Sequence, residues 1–339
     1  MAKAVKLADI AERVGVSTVT VSKALSGQKG VSEEVREKIR SIAEELGYQQ
    51  PSVARKSQNR KSFNIGILIS ERFLVKYESF YWQMYQAVAT RATAKECFTM
   101  LEVIGKAEEE NSKMPKLVQE RKVDGIIVIG KMMDAYLQHL NTEAGIPVIY
   151  LDYYNGREAS DSVISNSYYG TYELTYYLYR MGHRKIAYVG TRLATESITD
   201  RYFGYQKALL ELGLEQKKEW VLDDRHIETG EIDTVNMLQI PKDMPTAFVC
   251  NCDLTASFLI KKLKENGYRV PEDISVVGFD NYLYPGLSDI QITTYEVDLG
   301  EMAKKTVHNM ISKISNENYK PGIHIVEGHI VLKESVAKI

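Results

Sequence analysis

The 339-residue chain has only three cysteines, Cys97, Cys250 and Cys252, and six scattered histidines. Three thiols make no disulfide framework, so a reducing, cytoplasmic setting is expected. Cys250-Asn251-Cys252 has no second Cys/His pair nearby, which speaks against a zinc site, and no metal is expected. No apolar run reaches the length of a membrane span, and the N-terminus lacks a secretory pattern, so no membrane partner is expected. Also missing are a Gly-x-x-x-x-Gly-Lys-[Ser/Thr] phosphate loop, a His-Glu-x-x-His pair and a Gly-x-Ser-x-Gly elbow. With no nucleophile–base pair visible, the reading is a non-enzyme with no cofactor, holding a binding cleft rather than a reaction centre.

The net charge of −2 hides an asymmetry. Residues 1–62 carry twelve Lys and Arg against seven Asp and Glu, so the N-terminal end is basic and the remainder acidic. A basic end on an acidic body fits nucleic-acid binding at that end alone.

That end carries a helix-turn-helix pattern. Leu7, Ile10, Ala11 and Val14 are spaced as the inner face of a first helix. Gly15 falls at the turn, where a left-handed backbone suits glycine. Ser17 is a candidate cap for a second helix, whose Val21, Ala24 and Leu25 turn inward. Thr18, Val19, Thr20, Ser22 and Lys23 then face out as the reading surface of a recognition helix in the major groove. An ordinary αα-hairpin is the bland alternative. Against it, Ser32 opens a third helix with Val35, Ile39, Ile42 and Ala43 inside, closed by Gly47-Tyr48.

Residues 49–62 are polar and basic and look like a linker. From Phe63 short apolar strands alternate with helical stretches, which implies parallel sheets built from βαβ units. Strands are expected at 63–69, 98–104, 125–129 and 148–151, and the pattern restarts after Ser162 with strands at 185–189, 220–222, 246–250 and 274–279. Helices are expected at 81–97, 114–121, 133–140, 170–181, 202–212, 232–238, 255–266 and 299–315, with final strands at 324–326 and 329–332. The fold class is α/β: a helix-turn-helix headpiece, then two similar doubly wound subdomains. A ligand cleft is expected at the carboxyl ends of their strands.

The ordered set Leu7–Leu25, Val31-Ser32…Leu46-Gly47-Tyr48, Val123-Asp124-Gly125-Ile126-Ile127, Gly145-Ile146-Pro147-Val148, Gly182-His183-Arg184-Lys185-Ile186-Ala187, Asp200-Arg201…Gly204-Tyr205, Val270–Asp280 and Thr293-Thr294 covers nearly the whole chain. It resembles the LacI/GalR (lactose-repressor) family of bacterial transcription regulators. The resemblance implies a headpiece at 1–48, a hinge at 49–62 and a periplasmic-binding-protein-like effector core at 63–339. It implies three crossings between subdomains, near 163–166, 291–294 and 321–324. Subdomain 1 then spans 63–163 and 293–322, and subdomain 2 spans 164–292 and 323–339. The implied function is a ligand-responsive, cytoplasmic transcription regulator of carbohydrate-utilisation genes, a repressor that binds a pseudo-palindromic operator in double-stranded DNA. The core ends a few residues past the last strand, which suggests a homodimer.

On the DNA side the resemblance adds Tyr48, Val53, Ala54 and Arg55 to the recognition face. Ser57 stands where relatives place a minor-groove leucine wedge, a departure that predicts weaker bending. On the effector side Asp152, Arg201 and Asp280 follow strands, where an Arg fork donates fixed hydrogen bonds and carboxylates accept them. Arg72, Phe80, Tyr81, Ser165, Arg225, Cys252 and Asp253 complete the expected cleft. Three of these depart from relatives: Cys252-Asp253 for an Asn-Asp pair, Ser165 for an Asp, and Arg225 near a usual aromatic. The many tyrosines beside strand ends, Tyr81, Tyr150, Tyr153, Tyr154, Tyr168, Tyr169, Tyr282 and Tyr284, could supply packing faces for a sugar ring. The expected effector is therefore a sugar or oligosaccharide. Rival readings are a plain solute-binding protein, which predicts a leader and no helix-turn-helix, and a regulator whose co-effector is a phosphorylated protein.

Overall fold

The computed structural model describes residues 7–25, 30–46, 62–74, 80–155, 161–282, 284, 286–316 and 319–339. The chain divides into two units, Met1–Ser62 and Phe63–Ile339.

In the first unit α1 (Leu7–Val14), α2 (Thr18–Leu25) and α3 (Glu33–Glu45) close on Ile10, Ala11, Val21, Ala24, Ile39 and Ala43. Gly15 adopts φ 78°, and its amide and that of Val16 both donate to the Ala11 carbonyl, so the turn is made where the sequence places it. Ser17 Oγ accepts from the Thr20 amide at 3.1 Å, capping α2. Arg36 is buried and its Nη1 donates to the Ala24 carbonyl at 2.9 Å. It thereby satisfies one of the carbonyls left open in the last turn of α2.

The second unit is two lobes. The first begins with β1 (Asn64–Ser70), α4 (Phe80–Thr93), β2 (Phe98–Ile104), α5 (Lys106–Glu110), α6 (Lys116–Gln119), β3 (Gly125–Ile129), α7 (Asp134–Glu143), β4 (Val148–Leu151) and β5 (Ser162–Ser165). The second comprises α8 (Ser167–Arg180), β6 (Ile186–Val189), α9 (Glu196–Leu212), β7 (Val221–Leu222), β8 (Ala247–Cys250), α10 (Asp253–Glu265), β9 (Ser275–Asp280) and β10 (Thr293–Glu296). The chain returns to the first lobe with α11 (Leu299–Ser315) and β11 (Ile323–Val326), and ends in the second with β12 (His329–Val331). The first sheet runs β11-β5-β4-β3-β1-β2, all parallel. The second runs β12-β10-β9-β8-β6-β7, with only β12 antiparallel. No helix among the described residues is long and apolar enough to cross a membrane.

Several boundaries differ from expectation. β10 pairs with β9 and β11 with β5, so the second and third crossings fall at 297–298 and 327–328, a few residues late. A strand's composition does not encode which of two similar sheets it joins. The expected helix at 232–238 is absent; the segment is a string of turns. Ile232 bridges to Arg225, the Asp233 amide donates to the Asp224 carbonyl, and Asp233 caps Asn236. Helical spacing of Ile232, Val235 and Leu238 is incidental, since Val235 is 79% exposed. In contrast α9 starts six residues before the expected Tyr202, because Thr195 Oγ1 accepts from the Ile198 amide at 3.2 Å. That start places Arg201 inside a helix rather than ahead of one. Where α8 and α9 cross, Gly204 leaves room for the Tyr168 carbonyl; a Cβ there would lie 2.0 Å from that oxygen.

Candidate functional site

The headpiece presents Thr18, Val19, Ser22 and Lys23 at the surface of α2. Val19 is 62% exposed, while Val21 and Ala24 of the same helix are buried. Thr20 is half-buried, and its hydroxyl lies 2.9 Å from Ser17 Oγ, which turns both hydroxyls toward the cap. Tyr48, Val53, Ala54, Arg55 and Ser57 lie outside the described residues.

In the second unit two carboxylates stand at strand ends, one per lobe. Asp152 follows β4 at φ 59° and Asp280 ends β9 at φ 103°, both left-handed backbones that cost a non-glycine residue about 1–3 kcal/mol. Such strain collects where side chains must be aimed. Tyr81, from α4, donates to Asp152 Oδ2 at 3.1 Å. Burial pushes the Asp152 carboxyl up, partly offset by Arg201. Burial also pushes Asp280 up, to about 7, against the pull of Arg201. The Asp152 charge adds to that rise, so the two carboxylates sense one another across the lobes.

Arg201 shares this place, and each of its three nitrogens donates to the protein. Nε donates to Ser167 Oγ at 3.2 Å, Nη1 to the Asn251 carbonyl and Nη2 to Asp280 Oδ1 at 3.3 Å. Its guanidinium lies 3.8 Å over the Phe279 ring. Burial opposes its charge, but Asp280 and Asp152 more than compensate and raise its pKa. Arg201 therefore anchors Asp280, whose Oδ2 and the Oδ1 of Asp152 make none of these bonds.

A second network fixes Arg225. Asp224 is fully buried. It accepts from the Thr191 amide at 3.0 Å, Thr255 Oγ1 at 2.6 Å, Asn251 Nδ2 at 2.8 Å and Arg225 Nη2 at 2.7 Å. Burial alone would raise its pKa; the Arg225 charge and these donors hold it well below the usual carboxylate range. Arg225 moves oppositely: burial would lower its pKa, and Asp224 holds it higher. The guanidinium also donates from Nη2 to Asn251 Oδ1 at 2.9 Å, and Nη1 makes none of these bonds. Cys252 Sγ lies 3.7 Å from Nη2 and 3.3 Å from Thr255 Oγ1. Asp224, Asn251, Thr191 and Thr255 were not among the expected site residues. Their signal was an Asp-Asp-Arg run directly after an apolar strand, where a charge can turn inward. The amide absent at position 252 is supplied one residue earlier, by Asn251.

The other expected residues are dispersed. Phe80 is buried and packs edge-on against Tyr282 of the second lobe, with centroids 6.4 Å apart, and Tyr284 packs on Tyr282 at 4.6 Å. Asp253 is buried behind Asp280, where its Oδ2 accepts from the Tyr282 amide at 2.9 Å and holds the 280–282 turn. Arg72 spans the lobes: Nη1 donates to the Thr229 carbonyl at 2.7 Å and Nη2 to the Lys131 carbonyl. Lys131 pairs with Glu196 at 3.4 Å, a further tie between lobes. Ser165 sits at the first crossing, 3.4 Å from Ser167 Oγ. Of the tyrosines, Tyr150 and Tyr153 are buried within the first lobe, while Tyr168 and Tyr169 are exposed on α8. No cluster of three metal-ligating side chains occurs among the described residues.

Residues 6–51 match the model for bacterial regulatory proteins of the lacI family, and residues 175–336 match the periplasmic binding protein-like domain. The chain is 27% identical to the HTH-type transcriptional repressor PurR of Aliivibrio salmonicida over 334 residues, covering 98% of each chain. It is 28% identical to the ribose operon repressor of Haemophilus influenzae over 334 residues, covering 97% of each. Its fold is similar to the lac repressor dimer bound to operator and the anti-inducer ONPF, with TM-score 0.68, 23% identity, and 99% and 100% of the two chains covered. It is also similar to the CelR–cellobiose complex, with TM-score 0.67, 24% identity, and 98% and 99% covered.

Proposed function

Because the chain belongs to the lacI family of bacterial regulatory proteins, a family of ligand-responsive DNA-binding repressors, we propose that it is a cytoplasmic, homodimeric repressor. Its operator is pseudo-palindromic and its effector a neutral polyhydroxylated ring, a sugar or oligosaccharide. The observation that carries the effector class is the pair Asp152 and Asp280, each with an oxygen outside the bonds described above, near the Arg225 guanidinium, whose Nη1 is likewise outside them. Ionised carboxylates accept only, so a ligand bridging them brings hydroxyls or N–H groups, and hydroxyl oxygens can in turn accept from Arg225. The nearby cations, Arg201 and Arg225, are each already paired with a carboxylate, which disfavours an anionic ligand. Aromatic rings at Phe80, Tyr81, Tyr282 and Tyr284 offer faces for the apolar side of a sugar ring. A ribose operon repressor stands among its relatives beside the PurR repressors.

Dimerisation is supported by the edge strand β2, which exposes Phe98, Met100 and Val103, with Trp82 exposed on α4. Surface apolar residues gathered at one edge mark an interface. Effector in the cleft biases the lobe angle, and operator affinity follows by linkage.

The test is a thermal-shift screen of carbohydrates and their phosphates, because a ligand bound to the folded state raises its melting temperature. Calorimetry then follows for the hit. Asp152→Asn is expected to weaken effector binding by at least about tenfold, as loss of one charge-assisted bond implies, and Arg201→Ala to weaken it by releasing Asp280 from its anchor, with operator affinity in the absence of effector unchanged. Preference for a phosphorylated ligand, or full-strength binding by both variants, would refute the assignment.

A further inference from the structure

The β11 edge of the first sheet is open. β11 pairs with β5 alone. The Ser162 amide donates to the Gly322 carbonyl and the Asn166 amide to the Val326 carbonyl. In a parallel ladder alternate residues bond the same neighbour, so residues 322, 324 and 326 serve β5. The N–H and C=O groups of Ile323 and Ile325 then face outward, and no described residue pairs with them.

Beside this strand lies a groove of about 880 Å³, walled by Ile323 and Ile325 of β11 and by Phe203 and Leu210 of α9. Leu210 is 82% exposed, Phe203 51% and Ile325 52%. Small-molecule sites bury roughly 70–90% of their ligand, which walls this open cannot do. An extended chain needs only one paired edge and alternate apolar contacts. Asp200 also lines the groove. Its two oxygens accept from Tyr154 Oη at 3.0 Å, and among the described residues no cation lies within ion-pair distance of it. Burial pushes its carboxyl up. A half-buried carboxylate without a counter-ion is complementary to a basic group.

We propose that the open edge of β11 and this groove bind an extended peptide segment of another protein, with apolar side chains at alternate positions and a basic residue set against Asp200. The peptide adds a strand to the first sheet, its alternate apolar side chains lie on Phe203 and Leu210, and its cation pairs with Asp200. This site is separate from the cleft at Asp280 and does not depend on the effector assigned there.

The probe is a short fluorescent peptide of alternating valine and threonine with one central arginine, titrated against the full chain by anisotropy. Ile325→Pro removes an outward N–H without touching the β5 ladder, and Leu210→Lys changes an exposed position that the fold does not need. Saturable binding is expected, weakened at least about tenfold by either change. Asp200→Asn is expected to weaken the arginine peptide but not its alanine counterpart. Unaltered thermal unfolding of Leu210→Lys shows that a loss reports the groove. No saturation up to about 1 mM peptide, or binding indifferent to both Ile325→Pro and Leu210→Lys, would overturn the proposal. So would concentration-dependent self-association abolished by Leu210→Lys, since a second copy of the chain would then own the surface.

Discussion

Replacing Asp224 by Asn keeps the shape of the side chain and removes its charge. In the wild type this carboxylate is fully buried and sits 2.7 Å from Arg225 Nη2. After the change Arg225 is a buried cation with no counter-ion, and an amide NH2 confronts donors from Thr191, Thr255 and Arg225. Removing one partner of a buried pair costs about 3–5 kcal/mol. In a domain of this size each kcal/mol moves the melting temperature by about 2–4 °C. Asp224→Asn should therefore melt about 6–20 °C below wild type by circular dichroism. The sign with pH is fixed too. The folded carboxyl lies below its unfolded value, so its contribution is complete above about pH 4 and is lost as acid protonates the folded form. The gap between variant and wild type should be constant from neutral pH down to about pH 4 and close only below it. A variant within about 1 kcal/mol of wild type would refute the role given to this pair.

Asp280 carries the opposite sign. Its folded pKa of about 7 exceeds the ordinary carboxylate value, so the folded chain keeps a proton that the unfolded chain releases. The resulting stability is present at low pH and lost as pH rises through 7; urea unfolding at pH 6 and pH 8 should differ by about 1 kcal/mol more in wild type than in Asp280→Asn. Equal slopes would show that the Arg201 pair, not burial, governs this carboxyl. Lys23→Ala should cost about 1–3 kcal/mol of operator binding if the side chain reads a guanine, and gel shifts on operator and scrambled DNA separate that from a uniform loss through phosphate. Gly204→Ala should destabilise the second unit by about 1–3 kcal/mol, since the added Cβ meets the Tyr168 carbonyl; a neutral change in thermal unfolding would mean that α8 and α9 separate freely.

What could be read in the sequence followed local rules. Phe98–Ile104, Gly125–Ile129, Val148–Leu151 and Leu299–Ser315 form as expected to the residue, because their apolar runs are short and bounded, or keep one helical period over four turns. The headpiece was legible for the same reason: cap, glycine turn and inner face all lie within nineteen residues of one another. Asp152, Arg201 and Asp280 were expected together from their positions after strands, and the fold brings the three side chains to one place. The miss at 232–238 shows the limit. There three apolar residues at helical spacing are overruled by backbone contacts with Asp224 and Arg225 just upstream, which helical periodicity does not register.

The Asp224 network was hidden for a related reason. An Asp-Asp-Arg run reads as surface, since isolated buried charges are prohibitive. It becomes affordable only when Thr191 after β6, and Asn251 and Thr255 at the junction of β8 and α10, deliver donors to one point. The same assembly changes the meaning of Arg201. From sequence it is a ligand fork; in the fold every donor nitrogen is engaged by Ser167, Asn251 or Asp280, leaving it to hold Asp280 in a left-handed backbone. Arg225, restrained by Asp224 through Nε and Nη2 with Nη1 left over, is the better donor to a ligand. The two arginines thus divide a task that the sequence reading gave to both, and the division follows from which carboxylate each meets inside the protein.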